Sequence, residues 1–226
     1  MGAFSTKGMK IYLEKKPGSS PTAVVVTSVS NAKPAVVTVG STDIGKFKEG
    51  DPVVVAATGI STLDGRTFVV GSVDDTANTF VLRGSDATSA TAPSTVGNVT
   101  NHAADMVEFC LASLEYTQEP AQAISVGTTC DPAAQLAGEP QAGSVSISGF
   151  EDYTSAGFLE FLKAAEDGIP RILMVQLPPS ATPGGDGVIL YPSVTTSGIS
   201  ETFQVGAAAA FTGEFTLGTK PVRIVD

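Results

Sequence analysis

The stretch GSVSISGFEDYTSAGFLEFLKAAEDGIPRILMVQLP, Gly143–Pro178, sets out a strand, a helix and a second strand in one short run. In its opening Gly143–Gly149, Val145 and Ile147 face one way and Ser144, Ser146 and Ser148 the other. That period of two marks a strand with one wet face. Thr154 or Ser155 then offers a helix N-cap, and Phe158, Leu159, Leu162 and Ala165 recur at three- and four-residue spacing. Gly168 supplies the stop, and Ile172–Leu177 returns as a strand. The economical reading is one helix packed on a mostly antiparallel sheet.

Working outward, further strands are expected at Met9–Glu14, Met106–Tyr116, Ala123–Thr128, Gly187–Tyr191, Ile199–Val205 and Phe211–Leu217. A second group is compact: Thr22–Val29, Pro34–Val39, Pro52–Ala57, Arg66–Val73 and Asn78–Arg83, with Asp74–Ala77 as a hairpin loop. Five short strands at close spacing point to a small barrel or sandwich. Lys15–Pro21 reads as a turn-rich linker, and residues 84–103, poor in bulky side chains, read as a linker that marks a boundary. Two units are therefore expected, one from residues 1–20 and 101–226, the other from residues 21–100.

Charge divides at the same place. Residues 1–103 carry nine Lys/Arg against eight Asp/Glu, whereas residues 104–226 carry four (Lys163, Arg171, Lys220, Arg223) against fifteen. Four cations cannot neutralise a row of phosphates, so the acidic half is a surface that repels nucleic acid. The 226 residues suffice to bury ~70% of the unfolded surface. Trp is absent, His102 is the only histidine, and Cys110 and Cys130 are the only cysteines, which excludes a disulfide framework or a Cys-rich metal site. The opening MGAFSTKGMKIYLEKK has no signal-like apolar run, so synthesis in a reducing cytoplasm is expected.

The segments Thr6–Lys15 (TKGMKIYLEK), EFCLASLEYT leading into ISVGTTCDP, Gly143–Pro178, and GVILYPSVTTSGISETFQVGAAAAFTGEFTLGTKPV together resemble the major tail tube proteins of phages with long non-contractile tails. The resemblance covers residues 6–15 and about 107–222 as a match of order and pattern. It implies a mainly β protein: a tail-tube-type β-sandwich or barrel with one flanking helix. It further implies hexameric rings stacked into a tube in the virion tail, assembled in the host bacterial cytoplasm. Its partners would be itself, other tail proteins (terminator, tape measure, baseplate) and DNA passing through the lumen unbound, with no membrane. The run FKEGDPVVVAATGISTLDGRTFVVGSVDDTANTFVLRGSD resembles the first catalytic cysteine half-domain of ubiquitin-activating enzymes, a small β-barrel. No cysteine lies in residues 21–100, so a decorating insertion on the outer surface is implied and no thioester chemistry.

No catalytic, cofactor or metal site is expected. His102, near Asn101 and Asp105, would need an orienting carboxylate and a nucleophile elbow for catalysis; no GxSxG-type run exists, and it is read as a solvated loop histidine. Gly184–Gly187 lacks the Lys-Ser/Thr of a phosphate loop, Asp74 and Asp75 read as a hairpin tip, and Asn98-Val99-Thr100 matches a glycosylation sequon by chance. Cys110 is expected to be small and buried, Cys130 more exposed. The candidates to line a lumen are Glu108, Glu115, Glu151, Asp152, Glu201 and Glu214. The rival readings are another virion part, such as a tail terminator or head decoration protein, and a carbohydrate-binding β-sandwich. The latter is weakened by the missing Trp and the four Tyr.

Overall fold

The computed structural model describes residues 9–16, 23–90, 97–118, 143–178, 187–203, 205 and 208–224, and the backbone of 123–125 and 135–137. The protein is mainly β, with one α-helix, a closed six-stranded barrel and a separate large sheet. In chain order, β1 (Lys10–Glu14) belongs to the sheet. The barrel follows: β2 (Val24–Val29), β3 (Ala35–Val39), β4 (Pro52–Ala56), β5 (Arg66–Asp74), β6 (Thr79–Arg83) and β7 (Asn98–Asn101). Next come β8 (Met106–Glu108), β9 (Ser113–Thr117), a separate ribbon β10 (Ala123–Ser125) with β11 (Gln135–Ala137), and β12 (Ser144–Phe150). Helix α1 (Ala156–Asp167), β13 (Arg171–Gln176), β14 (Val188–Thr202), β15 (Ala210–Leu217) and β16 (Val222–Ile224) complete the chain.

The barrel closes in the order β2-β3-β6-β5-β4-β7 around Val26, Val37, Val53, Val70, Leu82 and the stacked rings of Phe47 and Phe80, 4.6 Å apart. Its closing strand, β7, comes from the stretch read as linker. Val99 is fully buried there and pairs with both Val24 and Val55. Only one apolar residue marks this strand, so its alternation is invisible in sequence.

The large sheet runs β8-β1-β13-β14-β15-β12-β9, with β16 also on β14, and every pairing is antiparallel. Met106–Tyr116, expected as one strand, is two strands on opposite margins. The Phe109 amide still donates to the Ile11 carbonyl of β1, and the Ala112 amide already donates to Ser148 of β12. Laid flat, six strand spacings would part the margins by ~29 Å, whereas residues 108 to 113 reach at most ~18 Å. The sheet must therefore curl until its margins face each other across Phe109, which is 2% exposed.

The concave side holds the core. Phe158 and Phe161 of α1 meet Phe109, Phe211 and Phe215 with centroids 5.0–5.5 Å apart where they touch. Val145, Ile147, Phe215 and Leu217 are all buried on this side. Glycines set the approach. A Cβ on Gly157 would lie 2.3 Å from the Glu108 carbonyl oxygen, and one on Gly213 would lie 2.4 Å from the Phe161 ring. The helix starts after Ser155 and ends at Gly168, whose φ of 62° suits glycine.

Strand β13 is buried on both faces, which accounts for its unbroken apolar run. Leu173 and Val175 point to the helix side. Ile172 and Met174 join Val188, Leu190, Ile224 and Val69 of the barrel in a third core. The stretches Gly187–Tyr191 and Ile199–Val205 merge in the fifteen-residue β14, with Pro192 and Gly198 beside the two register shifts of that strand. Chain breakers are tolerated at bulges, where the ladder is already interrupted.

Three substitutions test the packing. Ile147→Asp is expected to abolish soluble folded protein, at a cost above ~4 kcal/mol, while Ser146→Thr beside it leaves the melting temperature nearly unchanged. Gly157→Ala, which in an open helix would stabilise by about 1 kcal/mol, is expected instead to destabilise by about 2 kcal/mol. Soluble yield checks the first, and thermal melts of the purified Ser146→Thr and Gly157→Ala proteins measure the others.

Candidate functional site

Beyond the part covered by the barrel, no other described residue covers the convex side of the sheet. Residues pair there in rows across three strands. Ser146 of β12 lies between Glu115 of β9 and Glu214 of β15, Ser148 between Ser113 and Thr212, and Ser144 between Thr117 and Thr216. The Ser113 and Ser148 hydroxyls share a hydrogen bond of 2.7 Å, and Gly198 of β14 lies opposite Glu214. With strands ~4.8 Å apart, the backbones of Glu115 and Glu214 are ~10 Å apart with one serine between them. The grid contains Ser, Thr and Glu and no cation. Both glutamates are exposed. It is a low, polar and negative surface.

Of the six candidate acids, the structure brings only Glu115 and Glu214 to this face. Glu108 lies on β8 at the opposite margin, 3.8 Å from the Lys10 ammonium in an exposed pair. Asp152 accepts hydrogen bonds from the Thr154 hydroxyl (2.5 Å) and the Thr154 amide (2.9 Å), which hold its carboxyl below the usual range. Glu151 accepts from the Tyr153 hydroxyl at 3.1 Å, and its other carboxylate oxygen is buried without a partner. Glu201 stands near the end of β14, in register with the inward-facing Phe211.

The acidic half's cations are mostly engaged elsewhere. The buried guanidinium of Arg171 donates to Glu160 at 2.6 Å and to Asp167 at 2.8 Å, tying the helix to β13. Lys163 pairs with Glu160 at 3.2 Å, and Arg223 lies 5.7 Å from the Tyr116 ring centroid. Burial pushes the Glu160 carboxyl up, but hydrogen bonds from the Lys16 amide and the Lys163 ammonium, together with the charge of Arg171, more than offset it. Its net shift is downward. Asp167 is likewise lowered, burial being outweighed by the Ile169 amide and the Arg171 guanidinium.

Two sequence expectations are corrected. His102 is not a solvated loop residue: its side chain is 15% exposed, and Nδ1 lies 2.6 Å from Oε1 of the buried Glu14. The other oxygen of Glu14 accepts from the Ile172 amide at 2.8 Å, so the pair joins the end of β7 to β1 and β13. Sequence could not bring together partners so far apart in the chain. Cys110 is exposed, since it lies in the crossing between the margins and not inside a strand. Cys130, residues 184–186 of the glycine-rich loop, residues 17–21 of the linker and 126–128 of an expected strand lie outside the described residues.

Among the described residues no cluster of three His, Cys, Asp or Glu could hold a metal ion, and no helix is long and apolar enough to cross a membrane. Among the described residues, the margins of the curled sheet, β8 and β9, each pair on one side only. No protein-family model and no curated protein matches the chain. Among solved structures, the chain is similar to the cap of the anti-feeding prophage, described as its tube-terminating cap, with 10% identity and a TM-score of 0.41. The likeness covers 53% of this chain and 83% of that one. At that score it carries no argument about function.

The ion pairs under the helix predict acid sensitivity. The folded-state pKa values of Glu160 and Asp167 are depressed, so their contribution to stability is present above their unfolded values of 4.5 and 3.8 and is lost as pH falls through the folded ones. Denaturant unfolding at pH 7 and pH 3 should show this loss. Arg171→Met, which leaves the buried Glu160 only the Lys16 amide and the exposed Lys163 ammonium as partners, should cost about 3 kcal/mol at pH 7 and much less at pH 3.

Proposed function

We propose that the protein is a structural subunit of a phage tail tube: copies join through the β8 and β9 margins into hexameric rings, the rings stack, and the Glu115–Ser146–Glu214 face lines the bore. The observation that carries this reading is the cation-free Ser/Thr/Glu grid on a sheet whose two margins have no further strand partner among the described residues. Unpaired strand edges expose N–H and C=O groups that a neighbouring copy can complete. The resemblance of residues 6–15 and about 107–222 to tail tube proteins points the same way.

A conduit for DNA must not hold it. Adhesion grows with the number of cation–phosphate contacts, and a ring repeats whatever one subunit presents. A wall of hydroxyls and carboxylates offers none, while its repulsion reaches only ~8 Å at physiological salt, so it prevents sticking without blocking passage. The curl also separates the barrel from this face. Strands β13 and β12 are three steps apart in the sheet. At roughly 51° per step for a path of seven strands nearly closed on itself, their outward normals differ by ~150°. When the acidic face looks inward, the barrel on β13 looks outward, as a decoration. In this role the protein is not an enzyme, needs no cofactor, and works in the virion tail beside other tail proteins.

Negative-stain microscopy of concentrated protein should show hollow tubes. Monomers alone at every concentration would contradict the proposal. Tubes of Glu115→Lys/Glu214→Lys should retain double-stranded DNA in a way that weakens steeply with salt, while wild-type tubes retain none. Equal behaviour of the two would reject the placement of this face in the bore.

A further inference from the structure

The two ends of the β14–β15 hairpin have opposite character. At the far end Phe203 is 68% exposed and Phe150, opposite Ala210, is 64% exposed, with Val205 and Tyr153 also exposed. Glu151 and Asp152 lie between Phe150 and Tyr153 in the chain, the charges of Glu151 and Glu201 act on Tyr153, and neither residues 150–156 nor residues 199–211 contain a Lys or Arg. An apolar patch of this kind with an acidic rim marks an interaction surface.

At the near end, where the sheet meets the barrel, lies a groove of about 650 Å³ lined by Val54, Arg66, Phe68, Pro192, Lys220 and Val222, among others. Arg66 and Lys220 are exposed and form no ion pair among the described residues. Pro192 and Thr202 are ten residues apart on one strand, so the groove and the aromatic end are separated by ~30 Å.

We infer that the aromatic, acid-rimmed end of the hairpin in one copy seats in the cationic groove of the next copy. This rests on the self-assembly reading and names the contact that joins subunits along the tube. The partner is a second copy because the same chain carries both halves: exposed aromatics with surplus carboxylates at one end, an apolar-walled groove with two unpaired cations at the other. Pairing of two aromatic ends would set like charges against each other, which is strongly disfavoured. A head-to-tail contact between different patches, displaced along one strand, repeats without closing and builds a filament. The groove also draws Val54, Arg66 and Phe68 from the barrel. The barrel would thus take part in stacking as well as decorating the outer wall.

The test is a charge exchange in the full chain. Glu201 and Lys220 are exposed, so Glu201→Lys and Lys220→Glu should fold with wild-type melting curves. Each single variant should weaken axial association by roughly tenfold or more, as loss of a close interfacial charge pair does, leaving single rings in negative stain and a small species in sedimentation velocity. Phe203→Ser should do the same. The double variant Glu201→Lys/Lys220→Glu should recover tubes. Single variants that form tubes of wild-type length, or a double variant as defective as the singles, would overturn the contact while leaving the tube reading intact. A wild-type chain that never assembles would overturn both.

Discussion

Everything in the larger unit depends on the short crossing from β8 to β9. Phe109 is still bonded to β1 and Ala112 is already bonded to β12, so three peptide steps join the two margins of a seven-strand path. No flat sheet permits that. The crossing bends the sheet, and the bend encloses a space that Phe109, Phe158, Phe161, Phe211 and Phe215 fill. Gly157 lets the helix backbone settle against this crossing. Helix, curl and aromatic core are therefore one device, and the Arg171 pairs to Glu160 and Asp167 hold the helix in it from below.

The curl also distributes roles over the convex side. One sector, built on β13, β16 and the start of β14, is apolar and covered by the barrel through Val69 and its neighbours. Another, built on β12, β15 and β9, is hydroxyl-rich and acidic and is left open among the described residues. Because the surface bends between them, a single sheet presents two faces in widely different directions. The proposed subunit role requires such a separation, with one direction for an inner wall and another for an outer attachment.

Strand and helix positions were largely legible where one residue alternation meets one environment. Val145/Ile147 against Ser144/Ser146/Ser148 is the clearest case, and Gly168 ends the helix as its place in the sequence implied. Legibility failed where tertiary context overrides local pattern. Met106–Tyr116 looks continuous because alternation does not record which neighbour each half pairs with. Pro192 and Gly198 look like breaks because sequence does not reveal the bulges that accommodate them. Strand β7 escaped notice because only Val99 of its four residues is apolar. For the candidate surface, acidity was readable and orientation was not. Six acids qualified by sequence, and only register joins Glu115 to Glu214 across Ser146 while sending Glu108 to the far margin.

A cryo-electron microscopy map of the assembled protein addresses the central claim most directly, through the distance of each side chain from the assembly axis. The account predicts Glu115, Ser146 and Glu214 among the innermost residues, β8 of one copy hydrogen-bonded to β9 of its neighbour, and the six-stranded barrel at the largest radius. A map with the barrel at the axis, or with the Ser/Thr/Glu grid on the outer wall, would contradict it.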